Sequence, residues 1–380
     1  MPVYAGFVLT GVITTLLGPL IPVLAAKWRV GDDKIGYMFT AQFVGALCGT
    51  LATGSLFRRL GYVRPIAAAF FLMFAGTVGL ALSPWPAGLA SVLINGLGLG
   101  IVIPGTNLYV AEAATSRPAA ALSTLNFLWG VGAVSGPPAI AMISRTRGMV
   151  FPHFALAILL AITGVLIIAV GERSHPEWAR AEPGAAGHGR SQGRGLAVLI
   201  ALFIFLYVGM ENSIGGWAAA YAGRITTWPE SAWPLVPLVF WGALMAGRGA
   251  APPVLGRITE HRLVLAALAG AVAGNVVIIS AASGAALIGG TLIAGLSFAT
   301  LYPITVATLS RIYGSGAAQL GSFVFGMAAL GGATLPWVVG LVSERLGSLR
   351  LGLLVPLAAS VAMIGLHASI TAAWRRPENR

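Results

Sequence analysis

Of the 11 acidic residues in this 380-residue chain, Glu211 is the one that sits well inside an apolar run, in the segment YVGMENSIGGWAAAYA. A carboxylate in hydrocarbon costs roughly 3 kcal/mol on insertion scales, so such a residue marks a functional position by default. On a helix, Tyr207 and Gly215 share its face, and Asn212 and Trp217 follow closely. Carboxylate and amide groups bind pairs of hydroxyls, and an aromatic plate covers the apolar CH face of a sugar ring. Glu211, Asn212 and Trp217 supply that chemistry, with the Tyr207 phenol beside them. A buried carboxylate can also take up and release a proton in step with solute occupancy, which makes Glu211 the candidate proton-coupling group. Gly215 and Gly216 are expected to let the helix unwind and offer carbonyls to a ligand. The competing reading makes Glu211 a fixed hydrogen-bonded link between helices.

The elements that must position these groups follow from composition. Hydrophobic residues make up 57% of the chain and charged ones 9%, against about 25% charged in a soluble globular domain. A spanning helix needs about 20 apolar residues, and the chain divides into twelve such runs. Six lie near Val3–Ala26, Ile35–Phe57, Pro65–Leu82, Gly88–Ala111, Ala119–Ile143 and Met149–Val170; six more lie near Leu196–Ala222, Ala232–Pro252, Leu263–Ser280, Ala285–Leu309, Ala317–Val342 and Leu351–Ala372. None alternates as the strands of a membrane barrel would. The expected fold is therefore an all-α membrane protein with an N-terminal six-helix half (1–170), a polar Gly/Ala/Pro-rich linker (171–195) and a C-terminal six-helix half (196–380). Glu211 falls about 21 Å along the seventh helix, near mid-membrane.

The net charge of +12 is not gathered on one face with stacking aromatics, so no nucleic-acid partner is expected. Lys and Arg are instead in excess on the side of the N-terminus, which places both termini in the cytoplasm. The single cysteine, Cys48, can form no intramolecular disulfide, and no metal-ligand spacing occurs.

The two halves repeat. At a constant offset of 199 residues, Ile94 meets Ile293, Gly96 meets Gly295, Pro104 meets Pro303, Thr106 meets Thr305, Gly132 meets Gly331, Pro137 meets Pro336 and Arg58 meets Arg257. Two six-helix halves in parallel orientation are the expected consequence. The polar groups inside runs include Gln42, Asn126 and Tyr302, and Asn126 and Trp129 are one turn apart on the fifth helix. Asn95, Asn107 and Asn275 serve equally well as interhelical hydrogen bonds. Arg248, near the inner end of its run, is expected to snorkel or to pair in a cytoplasmic gate.

Two six-helix halves, a charged central loop and a basic loop after the second helix resemble the major facilitator superfamily over essentially the whole chain. The loop GSLFRRLGYVRP matches that superfamily's Gly-x-Leu-x-Asp-Arg-x-Gly-x-Arg pattern at Gly54, Leu56, Arg59, Gly61 and Arg64, and departs at Arg58, where the family usually has Asp. The resemblance implies a cavity lined by helices one, four, seven and ten, with two, five, eight and eleven contributing, which makes Gln42, Asn126 and Trp129 the better candidates for solute contact, with Tyr302 beside them. It also implies a cytoplasmic gate, for which Arg58, Arg59, Glu112 and Arg257 are the candidates, with Glu112 as partner of Arg58 or Arg59. Within the superfamily the chain is similar to the fucose permease branch of sugar:proton symporters, on Gly18–Ala25, Leu125–Pro137 and Tyr207–Ala222. It departs from that branch in lacking carboxylates in the first and fourth helices; Thr10, Thr14 and Thr15 occupy the first.

The resulting expectation is a monomeric secondary transporter in a bacterial inner membrane, importing a neutral polar solute, a monosaccharide, by proton symport as two halves rock about a central site. It is expected to use no cofactor beyond the ion gradient. A carboxylate with Asn and Thr oxygens also holds Na⁺, which leaves the coupling ion open. No nucleotide-binding, metalloprotease or serine-hydrolase pattern occurs, so no enzyme is expected. Gly132-x-x-x-Gly136-Pro137 matches part of an antiporter motif and supports the rival reading, a proton-coupled drug or metabolite exporter.

Overall fold

The computed structural model describes residues 2–113, 118–170, 194–313 and 317–375. Every regular element among them is helical. The chain forms two compact units, Met1–Pro183 and Gly184–Arg380, and most of the expected linker lies outside the described residues.

In the first unit the helices are α1 (Pro2–Thr15), α2 (Leu17–Trp28), α3 (Asp32–Leu60), α4 (Val63–Leu82), α5 (Ala87–Ala113), α6 (Pro118–Arg147) and α7 (Val150–Val170). The second unit holds α8 (Arg194–Ile225), α9 (Leu235–Leu255), α10 (Glu260–Ser280), α11 (Gly284–Phe298), α12 (Leu301–Tyr313), α13 (Ala317–Leu346), the single turn α14 (Leu349–Gly352) and α15 (Leu354–Arg375). Eleven spans among the described residues are long and apolar enough to cross a membrane, α11 and α12 together counting as one, and α1 with α2 makes a twelfth, bent by 50°. Both breaks have the same origin. Pro19 and Pro303 each stand third in the helix after the break, and each lacks the N–H that would bond the carbonyl four residues earlier, at Thr15 or Ala299.

The repeat read in the sequence reappears as helix packing. In the first unit α1 packs on α6, α3 on α5, and α4 on α5 and α7; in the second, α8 packs on α13, α9 on α11, and α10 on α11 and α15. The repeated glycines sit at these crossings. A Cβ on Gly132 would overlap the Val8 carbonyl, and one on Gly331 the Phe205 carbonyl. Likewise Gly96 lies on the Gln42 carbonyl and Gly295 on that of Phe240. Without a hydrophobic force between helices in lipid, such backbone contact is what holds them together.

Candidate functional site

The second unit brings Tyr207, Glu211 and Tyr302 together. Tyr207 and Glu211 are one turn apart on α8, whose apolar length carries both into the membrane interior. The Tyr207 hydroxyl lies 2.8 Å from Glu211 Oε1 and 3.2 Å from the Phe298 carbonyl oxygen, and it donates its one proton to this pair of acceptors. Phe298 ends α11, and the break before α12 leaves its carbonyl open to a side-chain donor. The Tyr302 ring stands 5.7 Å from that of Tyr207, and Phe298 6.4 Å from it, edge-on. Tyr207 is 1% exposed and Glu211 8%.

The fourth member is Arg248 of α9, whose Nη2 lies 3.6 Å from Glu211 Oε1. This differs from the expectation that Arg248 snorkels or gates. Counted from Leu235, the start of α9, Arg248 is about 20 Å along a helix of about 30 Å, and its long side chain reaches inward to pair with the carboxylate. Its Nε is buried without a hydrogen-bond partner, as is the Thr300 hydroxyl at the α11–α12 break. Sequence reasoning gave Arg248 another role, left Thr300 among the polar groups inside runs without one, and missed the Phe298 carbonyl.

The remaining candidates are placed differently. Trp217 is wholly buried, and its Nε1–H donates to the Pro336 carbonyl at 2.8 Å, tying α8 to α13. Asn212 donates to the Val208 carbonyl of its own helix at 2.8 Å. The expected unwinding at Gly215 and Gly216 is absent: α8 runs unbroken through both, because the space beside Gly215 is filled by Trp241 and Phe240. In the first unit Gln42 is buried and its Nε2 donates to the carbonyls of Ile13 and Thr14, at 3.4 and 3.2 Å, bracing the bend of α1 and α2. Asn126 donates to Leu122 O and Asn107 Oδ1, at 2.8 and 3.3 Å, and Trp129 packs against the cluster of Phe7, Val110 and Leu125. Thr10 and Thr15 direct their hydroxyls to carbonyls, Thr15 reaching Ala133 at 2.8 Å.

Of the gate candidates, Glu112 Oε1 accepts the Tyr62 hydroxyl at 2.8 Å, while Arg59 and Arg257 are exposed. Tyr62 lines a cavity of about 270 Å³ with Tyr4 and Tyr109. The repeat positions in the second unit, Phe203, His261 and Thr308, line one of about 130 Å³. There His261 Nδ1 and His367 Nε2 are 2.9 Å apart, and Glu260 pairs with Arg311, the repeat counterpart of Glu112.

Comparison with known proteins agrees with this architecture. Residues 3–322 match the Major Facilitator Superfamily. A mouse protein named sodium-dependent glucose transporter 1A is 22% identical over 89% of this chain and 88% of its own. The glucose/mannose transporter GlcP of Bacillus subtilis is 22% identical over 89% and 86%. Among solved structures, a D-xylose-proton symporter superposes with a TM-score of 0.79 at 14% identity, covering 98% of this chain and 96% of that one. The E. coli fucose:proton symporter FucP superposes with a TM-score of 0.64 at 16% identity, with 97% of each chain covered. With its repeated six-helix units and a superfamily match over most of its length, the chain is an integral membrane transporter and belongs to the major facilitator superfamily.

Proposed function

We propose that the protein imports a monosaccharide by proton symport and alternating access, with Glu211 as the coupling carboxylate and the termini in the cytoplasm of a bacterial cell. The observation that carries this reading is the Tyr207 hydroxyl between Glu211 and the Phe298 carbonyl. With Glu211 ionised, Tyr207 donates to it. With Glu211 protonated, the carboxyl O–H can donate to the phenol oxygen while Tyr207 turns its proton to Phe298. Both protonation states thus keep their hydrogen bonds, which is what a reversible proton site in hydrocarbon requires. Protonation also removes the charge that holds Arg248, so proton uptake alters the groups that a solute meets. The names of the curated relatives and of the xylose and fucose symporters support a sugar as solute.

Uptake of labelled D-glucose, D-xylose, L-fucose and D-glucuronate into proteoliposomes, under an imposed proton or sodium gradient, tests the reading. Accumulation of one sugar that collapses with a protonophore is expected, and Glu211→Gln should retain exchange of that sugar while losing accumulation. Accumulation driven by sodium alone, the coupling that the mouse relative's name suggests, would overturn the proton assignment. Proton efflux driven by lipophilic cations, with no sugar uptake, would favour the exporter.

A further inference from the structure

Buried polar groups in folded proteins are nearly all hydrogen-bonded, and each exception asks for an explanation. Two exceptions lie on adjoining elements here: Arg248 Nε on α9 and the Thr300 hydroxyl at the α11–α12 break, both buried with no partner. Gly247, the neighbour of Arg248 on α9, packs closely on Ala299 and Leu296, and beside this crossing Gly247 and Thr300 line a cavity of about 270 Å³ with Ala250 and Ser297. Arg248 carries five N–H donors in a planar fork, and its Nη2 approach to Glu211 Oε1, 3.6 Å, is longer than a hydrogen bond. Tyr207 already occupies that same carboxylate oxygen at 2.8 Å. The guanidinium also faces the Tyr207 phenol and is partly open to water, but its Nε donor is left over, and a planar donor fork on a fixed helix suits a carboxylate in bidentate contact.

Charge counting points the same way. With Glu211 ionised and Arg248 protonated, the pair is neutral. A neutral sugar entering with a proton on Glu211 leaves the site at +1 in a medium that penalises net charge. A solute bearing one carboxylate, entering with that same proton, leaves it at zero. We infer that the solute is an acidic monosaccharide, a uronic or aldonic acid, whose carboxylate is taken up by Arg248 when a proton releases it from Glu211. Arg248 is then the residue that sets specificity for the acidic class. The inference rests on the proposed proton symport of a sugar, and it replaces the neutral solute expected from Glu211 alone.

Labelled D-glucuronate and D-glucose, presented to wild-type proteoliposomes under the same inward proton gradient, separate the possibilities. The expected result is saturable glucuronate uptake at least tenfold more efficient than glucose uptake. Its rate should not change when a potassium diffusion potential is imposed with valinomycin, because a proton and a monoanion cross together without net charge. Arg248→Gln should lower glucuronate uptake by about 30-fold or more, the usual loss when one partner of a buried charged contact is removed. Because that variant also strands Glu211, the Glu211→Gln/Arg248→Gln pair is measured beside it for competition: glucuronate should no longer inhibit the binding of glucose. Proton-driven glucose uptake that glucuronate at 100-fold excess neither inhibits nor replaces would overturn the acidic-solute inference and leave sugar symport standing. Failure of both sugars to move or to raise the unfolding temperature of the purified protein would remove both.

Discussion

Neutralising Glu211 alone should harm the protein more than neutralising Glu211 and Arg248 together. At 3.6 Å and an effective dielectric of about 20, two unit charges attract by about 4–5 kcal/mol. The Arg248 side chain is 31% exposed and that of Glu211 11%, so water reaches the guanidinium and the coupling is set lower, at about 2–3 kcal/mol. Glu211→Gln removes this attraction and leaves an uncompensated cation within the span. Glu211→Gln/Arg248→Gln removes the cation too; it keeps the length of side chain 211 and shortens side chain 248. At roughly 2 °C per kcal/mol for a chain of this size, the single variant should unfold about 4–6 °C below wild type and the double variant within about 2 °C of it. Intrinsic fluorescence of the detergent-purified proteins during heating reads the difference. If Arg248→Gln and Glu211→Gln proved additive, so that the double variant unfolded at the sum of the two losses, the guanidinium and carboxylate would not be interacting and the site would have to be redrawn.

Gly132→Val and Gly331→Val should each abolish the monodisperse peak in fluorescence-detected size exclusion, since the new Cβ meets a backbone carbonyl; Gly365→Ala, where nothing lies within 4 Å, should raise the unfolding temperature slightly. Trp217→Phe keeps an aromatic ring but removes both the donor to Pro336 and part of a wholly buried indole, and a loss of about 2–3 kcal/mol is expected in thermal unfolding. Gln42→Leu unties α3 from the carbonyls of Ile13 and Thr14, and hydrogen–deuterium exchange should rise by severalfold around residues 13–19 with little change in α10. Tyr207→Phe removes the proton shared by Glu211 and Phe298, and should reduce proton-driven uptake by tenfold or more while preserving the folded yield.

The fold was legible because each span announces itself twice, by an apolar run and by the charges or turns that end it. The expected runs and the observed helices differ by a few residues at most ends; Leu351–Ala372, for example, proves to be α14 and α15. The breaks at Leu16 and at residues 299–300 were concealed because hydropathy continues through them, although Pro19 and Pro303 carried the signal. Glu211 and Tyr207 could be paired from spacing alone, since both stand on one helix face. Arg248 could not, because its partner lies on another helix and its charge is the ordinary mark of a span's end. For Gln42, Asn126 and Trp217 the residue type was informative but the use was not. An amide or indole donor serves a carbonyl as readily as a solute, and which it meets depends on helices distant in sequence. Gly215 shows the same limit: the glycine that suggested unwinding makes room for Trp241.

The glycine crossings separate scaffold from lining in a way that bears on how the protein can be altered. At Gly132, Gly331 and Gly96 the contact is backbone against glycine, and at Gly295 the one side chain met is that of Ala243, so these crossings make almost no demand on neighbouring side chains. Positions such as 207, 211, 248, 300 and 302 can then be varied in combination, with charges changed in pairs, without touching the glycine crossings. A combinatorial library confined to those five positions, with the four glycines held, is the region of sequence space in which solute preference can drift while the architecture stays fixed.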